Sequence, residues 1–142
     1  MQADLSRRSF LGRAGGALAA LIPGHWLLPR RPLSPVTGPH PKPRPGITAE
    51  KVLTREQLAD TPDVIPVFDE VREIPGIVDG IRCQCGCSEI EGNYSLLSCY
   101  EGDAMARHCQ ICQGQGRLAH RLHKDGKTLD EIRAAIDARY GS

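Results

Sequence analysis

Six cysteines fall within thirty residues: Cys83, Cys85, Cys87, Cys99, Cys109 and Cys112. Their spacing reads C-x-C-x-C, eleven residues, C, nine residues, C-x-x-C. Three chemistries compete for such a set. The first is metal ligation. A C-x-x-C pair at the start of a helix turns both sulfurs toward one point, and the helix N-terminus stabilises thiolates. A C-x-C pair beside the small Gly86 lets a loop wrap closely around one ion. Four thiolates suit tetrahedral Zn(II), and soft thiolates also suit Cu(I). Six thiolates exceed one tetrahedral site, so two are left to share a second ion or to react. The second chemistry is thiol exchange, in which one thiolate attacks and its neighbour resolves. The βαβ pattern of thioredoxin-like proteins does not surround Cys109 and Cys112. The third is a framework of structural disulfides, which an even cysteine count in an exported chain suggests.

Other donors stand close by. His108 directly precedes Cys109, and His120 and His123 follow on the same predicted helix. Solvated helix histidines are the commoner case, so these rank behind the cysteines as ligands. Met105 offers a soft thioether to copper, although packing is the commoner role of a methionine. Glu89, Glu91, Glu101 and Asp103 read as a solvated acidic rim around the motif. Gly114 and Gly116 either let the helix pack closely on the cysteine loop or fray it. The chain carries no Gly-rich phosphate loop and no hydrolase signature, and no catalytic residue is assigned.

Positioning the thiols is the task of a mostly α domain. Thr54 and Gln57 form a capping-box pattern, which predicts a short helix over residues 55–59. Pro66 suits the first turn of a second helix over residues 67–73, where Val67, Phe68, Val71 and Ile74 recur at helical spacing. Pro75-Gly76 should break it, and a turn at Asp79-Gly80 then leads into the cysteines. Residues 108–124 predict a longer helix ended by Gly126. Thr128-Leu129-Asp130-Glu131 is another capping box, opening a helix to Tyr140 whose apolar stripe runs through Leu129, Ile132, Ala135 and Ile136. The expectation is a small helical domain with a C-terminal helical hairpin and an irregular cysteine-rich loop, stapled by metal or disulfides. Scarce aromatics, 4% of the chain, make such a staple useful.

The N-terminal part reads as an address followed by a spacer. Ser6-Arg7-Arg8-Ser9-Phe10-Leu11 has the twin-arginine pattern, and a weak apolar stretch from Ala14 to Ile22 follows. Residues 1–28 are expected to be an export signal that engages the twin-arginine machinery and delivers the protein to the periplasm or its extracytoplasmic equivalent. An uncut signal would also associate it with the membrane. Seven prolines between residues 29 and 46 predict an extended linker, with the folded domain over residues 47–142. Charge divides at the same place. Residues 1–46 hold seven Lys/Arg against one acid, leaving 11 basic and 16 acidic residues for the rest. The folded part therefore offers nucleic acid no electrostatic footing. Because the twin-arginine route carries folded proteins, a thiol site can close around its metal in the reducing cytoplasm before export.

The motif set resembles a known family. Residues 74–87, reading I-P-G-I-V-D-G-I-R-C-Q-C-G-C, are similar to the PCYCGC-motif proteins, also called the CYCXC family of exported (seleno)proteins. The similarity continues through S-L-L-S-C-Y at 95–100, H-C-Q-I-C at 108–112 and K-T-L-D-E-I-R-A-A-I-D at 127–137, covering roughly residues 64–141. Some members of that family place selenocysteine at a motif cysteine. The resemblance thus implies soft-metal binding or thiol/selenol redox chemistry, carried by Cys83, Cys85, Cys87, Cys99, Cys109 and Cys112. This chain departs from the family where Arg82-Cys83-Gln84 replaces Pro-Cys-Tyr and where Asn93 stands at a position often occupied by His. The leading expectation is an extracytoplasmic protein holding Zn(II) or Cu(I) on these six cysteines. A thiol/disulfide redox protein using the C-x-x-C or C-x-C pair is the alternative, and a disulfide-stapled interaction module the third.

Overall fold

The computed structural model describes residues 38–141, and their regular structure is helical. Four α-helices follow in order: α1 (Ile65–Glu73), α2 (Pro75–Asp79), α3 (Gln110–Lys124) and α4 (Leu129–Tyr140). Short 3-10 turns at Pro62–Val64, Cys87–Glu89, Leu96–Tyr100 and Met105–Arg107 link them. Among the described residues the extended pairing is a single antiparallel bridge between Val52 and Glu101. The domain is thus mostly α, with an irregular cysteine loop between α2 and α3 and a hairpin of α3 and α4. No helix of the described residues is long and apolar enough to cross a membrane. The expected signal at residues 1–28, and the linker through residue 37, lie outside the described residues.

Several elements arise for the local reasons the sequence suggests. Pro66 occupies the first turn of α1, whose Val67, Phe68 and Val71 are buried. The Thr128 hydroxyl accepts from the Glu131 N–H at 3.3 Å, and the Thr128 N–H donates to Glu131 Oε2 at 2.8 Å, closing the capping box that opens α4. Gly126, at φ +78°, turns the chain between α3 and α4.

Three elements differ from expectation. The Thr54–Gln57 box forms both of its hydrogen bonds, yet residues 55–60 stay a turn rather than a helix. The turn has no room to lengthen into a helix: the residue before a proline is pushed out of helical geometry, and Thr61 lies at φ −134°, ψ 58°. Pro75 does end α1, but its fixed φ also opens α2, so a second short helix stands where a break and turn were expected. The long helix begins at Gln110 rather than 108, because Cys109 is extended (φ −104°, ψ 106°) and acts as the N-cap.

The core joins α1, α3 and α4 to the turn at Leu96–Tyr100, through Val67, Phe68, Val71, Leu96, Tyr100, Ala119, Ile132 and Ile136. Phe68 meets Tyr100 edge-on, with ring centroids 4.8 Å apart. Gly114 and Gly116 serve close packing rather than fraying. A methyl on Gly116 would strike the Tyr100 hydroxyl, and one on Gly114 would strike Tyr140. The gap at Gly116 lets the Tyr100 O–H donate to the Cys112 carbonyl at 2.8 Å. Gly116→Ala should therefore cost about 1–3 kcal/mol, despite the better helix propensity of alanine, because the facing Tyr100 and Val71 are both buried. Urea unfolding of the two proteins checks this.

The described part of the proline-rich stretch lies along the domain. Backbone in this extended form leaves its carbonyls free, and side chains of the domain take them. The Tyr94 O–H donates to Lys42 O at 2.6 Å, and Arg133 donates to Pro41 O at 2.7 Å. Arg44 binds buried Asp79 through its guanidinium at 2.6 Å and its backbone N–H at 2.7 Å. His40 Nδ1 accepts from the Arg82 N–H at 3.0 Å, directly beside Cys83. Residues 38–46 therefore brace the start of the cysteine loop.

Candidate metal centre

Two elements deliver the sulfurs to one place. α2 carries the chain inward to Ile81, whose carbonyl accepts from the Leu96 N–H at 2.7 Å, so the loop between them is pinned at its base. Within the loop Gly86 takes φ +88°, with open space where a side chain would be. Its role is the left-handed backbone that folds Cys83, Cys85 and Cys87 back on one another. Asn93 donates from its side chain to the Cys87 carbonyl at 3.1 Å and so braces the loop. The second element is the first turn of α3, which presents Cys112.

Cys83, Cys85, Cys87 and Cys112 converge, with all four Sγ atoms within 4.8 Å of one another. Cys83 Sγ lies 3.2 Å from Cys85 Sγ and 3.5 Å from Cys112 Sγ, and Cys85 lies 3.3 Å from Cys112. Four sulfurs at about 2.3 Å from a common ion stand roughly 3.8 Å apart, so this group can hold a metal with small adjustments. Cys85 and Cys87 also lie at disulfide-bonding distance, with Cα atoms 5.6 Å apart. Cys83, Cys87 and Cys112 are at most 2% exposed, while Cys85 is half-buried.

The other two cysteines sit beside this group. Cys99 is fully buried and close enough to Cys83 and Cys112 to influence their charge, but it lies outside the four-sulfur group. Cys109 caps α3, its Sγ accepting from the Cys112 N–H at 3.4 Å. The neighbouring candidates lie apart from the four-sulfur group. His120 pairs with Glu73 at 2.7 Å, and His108 and His123 are exposed. Met105 is also exposed. The acidic rim is only partly solvated. Glu91 and Asp103 are exposed and Glu89 pairs with Arg82, but Glu101 is half-buried, and burial raises its carboxyl above the usual range.

Charge within the thiols settles on Cys83. Hydrogen bonds from the Cys112 and Cys99 thiols hold it down to about 3 against the cost of burial. The Cys85 backbone N–H and Gln115 add to that pull. Cys112 is pushed far above the ordinary thiol range by donating to Cys83 and Cys99 and by burial. For Cys99 the Cys112 hydrogen bond acts downward, but its own bond to Cys83 and its burial outweigh it. One buried thiolate with two thiols donating to it is ready to ligate a cation or to attack a disulfide.

Gln115 is the functional residue that the sequence reading missed. It is fully buried, its Oε1 accepts from the Gln84 N–H at 3.1 Å, and its Nε2 points at Cys83 Sγ from 3.8 Å. The clue lay in its place three residues after Cys112, on the same face of the helix. Gln84 in turn donates to Asp137 at 2.7 Å, tying the cysteine loop to α4. A surface depression of about 970 Å³, bordered by Arg44, Glu50, Glu91 and Met105, has none of the six cysteines in its lining.

No family model, curated protein or solved structure matches this chain. The geometry of the thiols therefore carries the functional argument.

Proposed function

We propose that the protein is an extracytoplasmic metal-binding protein that holds Zn(II) or Cu(I) on a thiolate centre. The observation that carries this reading is the convergence of Cys83, Cys85, Cys87 and Cys112 from two separate elements onto one point. An all-sulfur donor set with no carboxylate or imidazole selects soft or borderline ions. Its burial supports a held or stapling ion rather than an exposed exchange surface. The helix start at Cys112 and the N–H of Gln115 both favour the charged sulfurs an ion requires. The twin-arginine pattern supports export after folding, with the ion acquired in the cytoplasm, and the resemblance to PCYCGC-motif proteins supports a soft site.

One observation favours a second reading, a thiol/disulfide redox protein. With Cys85 and Cys87 at bonding distance, the Cys83 thiolate stands 3.2 Å from Cys85 Sγ. Attack there would form a Cys83–Cys85 bond, break the Cys85–Cys87 bond and release Cys87 as the thiolate, with no net change in oxidation state. Elemental analysis by mass spectrometry decides between the two. Protein matured from the full chain and isolated without oxygen should carry zinc or copper at one or more ions per chain. Metal-free protein with a reducible Cys85–Cys87 disulfide would overturn the metal reading in favour of the redox one.

A further inference from the structure

We propose that a low-molecular-weight disulfide oxidises Cys85 and Cys87 to a disulfide and so releases the ion, a redox control of the centre that rests on the metal reading above. Two arrangements of the same sulfurs exclude one another. Tetrahedral ligation needs Cys83, Cys85, Cys87 and Cys112 together, and their Sγ atoms lie within 4.8 Å of one another. Cys85 and Cys87 are also placed to bond each other, with Cα atoms 5.6 Å apart, a separation that a disulfide spans without backbone movement. Gly86, at φ +88°, supplies the left-handed turn between them. Once that pair is bonded, Cys83 and Cys112 remain as half of a tetrahedral shell, too few to retain Zn(II).

Exposure selects where the exchange begins. Cys83, Cys87 and Cys112 are buried, whereas Cys85 is half-buried. Cys85 is also central to the group, its Sγ lying 3.2 Å from Cys83 and 3.3 Å from Cys112, so its loss from the shell touches every partner. Exchange with a disulfide from solvent therefore starts at Cys85. Its thiolate attacks one sulfur of the small disulfide, forming a mixed disulfide and releasing one small thiolate. The Cys87 thiolate then attacks Cys85 Sγ, which closes the Cys85–Cys87 bond and releases the other small thiolate. The protein gives up two electrons, and the small disulfide takes them. A dithiol reductant reverses the change and restores four thiolates. One half-buried sulfur suits a low-molecular-weight disulfide, which needs no docking face.

The test loads the reduced full-length protein with Zn(II) without oxygen, removes free zinc, and adds oxidised glutathione beside a zinc indicator dye. The inference expects one zinc released for every two thiols lost. Alkylation of the remaining thiols after denaturation, then reduction and a second label, should place the new disulfide at Cys85–Cys87 by tandem mass spectrometry. Dithiothreitol with added Zn(II) should restore the loaded form. Thiols lost with zinc retained, zinc lost with the disulfide elsewhere, or loaded protein inert to oxidised glutathione would each overturn the redox control and leave the metal site intact. Reduced protein that binds no zinc would overturn both.

Discussion

Cys112→Ser is expected to empty the thiol centre and to destabilise the metal-loaded protein by on the order of 3–5 kcal/mol, the range for leaving a buried charge without its partner. Cys112 is fully buried, belongs to the four-sulfur group and donates to the Cys83 thiolate. Serine keeps the volume but offers a poor ligand to a soft ion. For a domain of this size the loss corresponds to a fall in Tm upwards of ~10 °C. The informative comparison adds a strong chelator. Stripping the ion should bring the wild type down toward the variant, because metal binding is folding free energy, and should leave the variant nearly unchanged. Equal losses with and without chelator would mean that Cys112 matters only as a packed thiol.

Arg44→Ala should produce the second large effect, far from any sulfur. Asp79 is fully buried and is bound by the Arg44 guanidinium, the Arg44 backbone N–H and the Ser95 hydroxyl. Burial alone would raise its carboxyl, but the Arg44 side chain, the Arg44 backbone N–H and Ser95 together hold it below the usual value of 3.8. Removing the guanidinium leaves a buried charge with only weaker donors. Because Arg44 is 41% exposed and partly screened by solvent, a cost on the order of 2–4 kcal/mol at neutral pH is expected. The pH dependence carries the sign. In the wild type the depressed carboxyl stabilises the fold above pH 3.8, and that stability is lost as pH falls from there through the folded value. In the variant burial dominates, so Asp79 binds its proton more readily when folded, and acidification from neutral pH should recover part of the loss. Urea unfolding across that range checks the reversal. A variant that weakens with acid just as the wild type does would contradict it.

This pair also shows what sequence could and could not disclose. The proline run around Arg44 reads as a spacer, since prolines at this density build no core of their own. Its attachment depends on Asp79, Tyr94 and Arg133, partners 35 to 92 residues away that no local pattern connects. The C-terminal hairpin was legible because everything that specifies it is local: the Thr128–Glu131 box, Gly126 between the helices, and the apolar stripe through Ile132 and Ile136. The cysteine motif was legible for the same reason, as spacing on a loop and at a helix start. The division of labour within it was not. Cys109 and Cys112 look equivalent in a C-x-x-C pair, but the extended backbone of Cys109 makes it the cap, while Cys112, one turn on, faces the loop. Gln115 stayed hidden for a different reason. A glutamine between two glycines reads as solvated helix surface, and it is the distant cysteine loop, through Gln84 and Cys83, that meets it in the buried interior.

The central claim is that one ion sits among sulfurs delivered by the C-x-C-x-C loop and by α3. X-ray absorption at the edge of the metal found in the natively matured protein tests it most directly. The account predicts a first shell made of sulfur alone, three or four atoms at about 2.3 Å, that loses sulfur in Cys112→Ser. A shell dominated by nitrogen or oxygen, or a sulfur shell unchanged by that substitution, would contradict it.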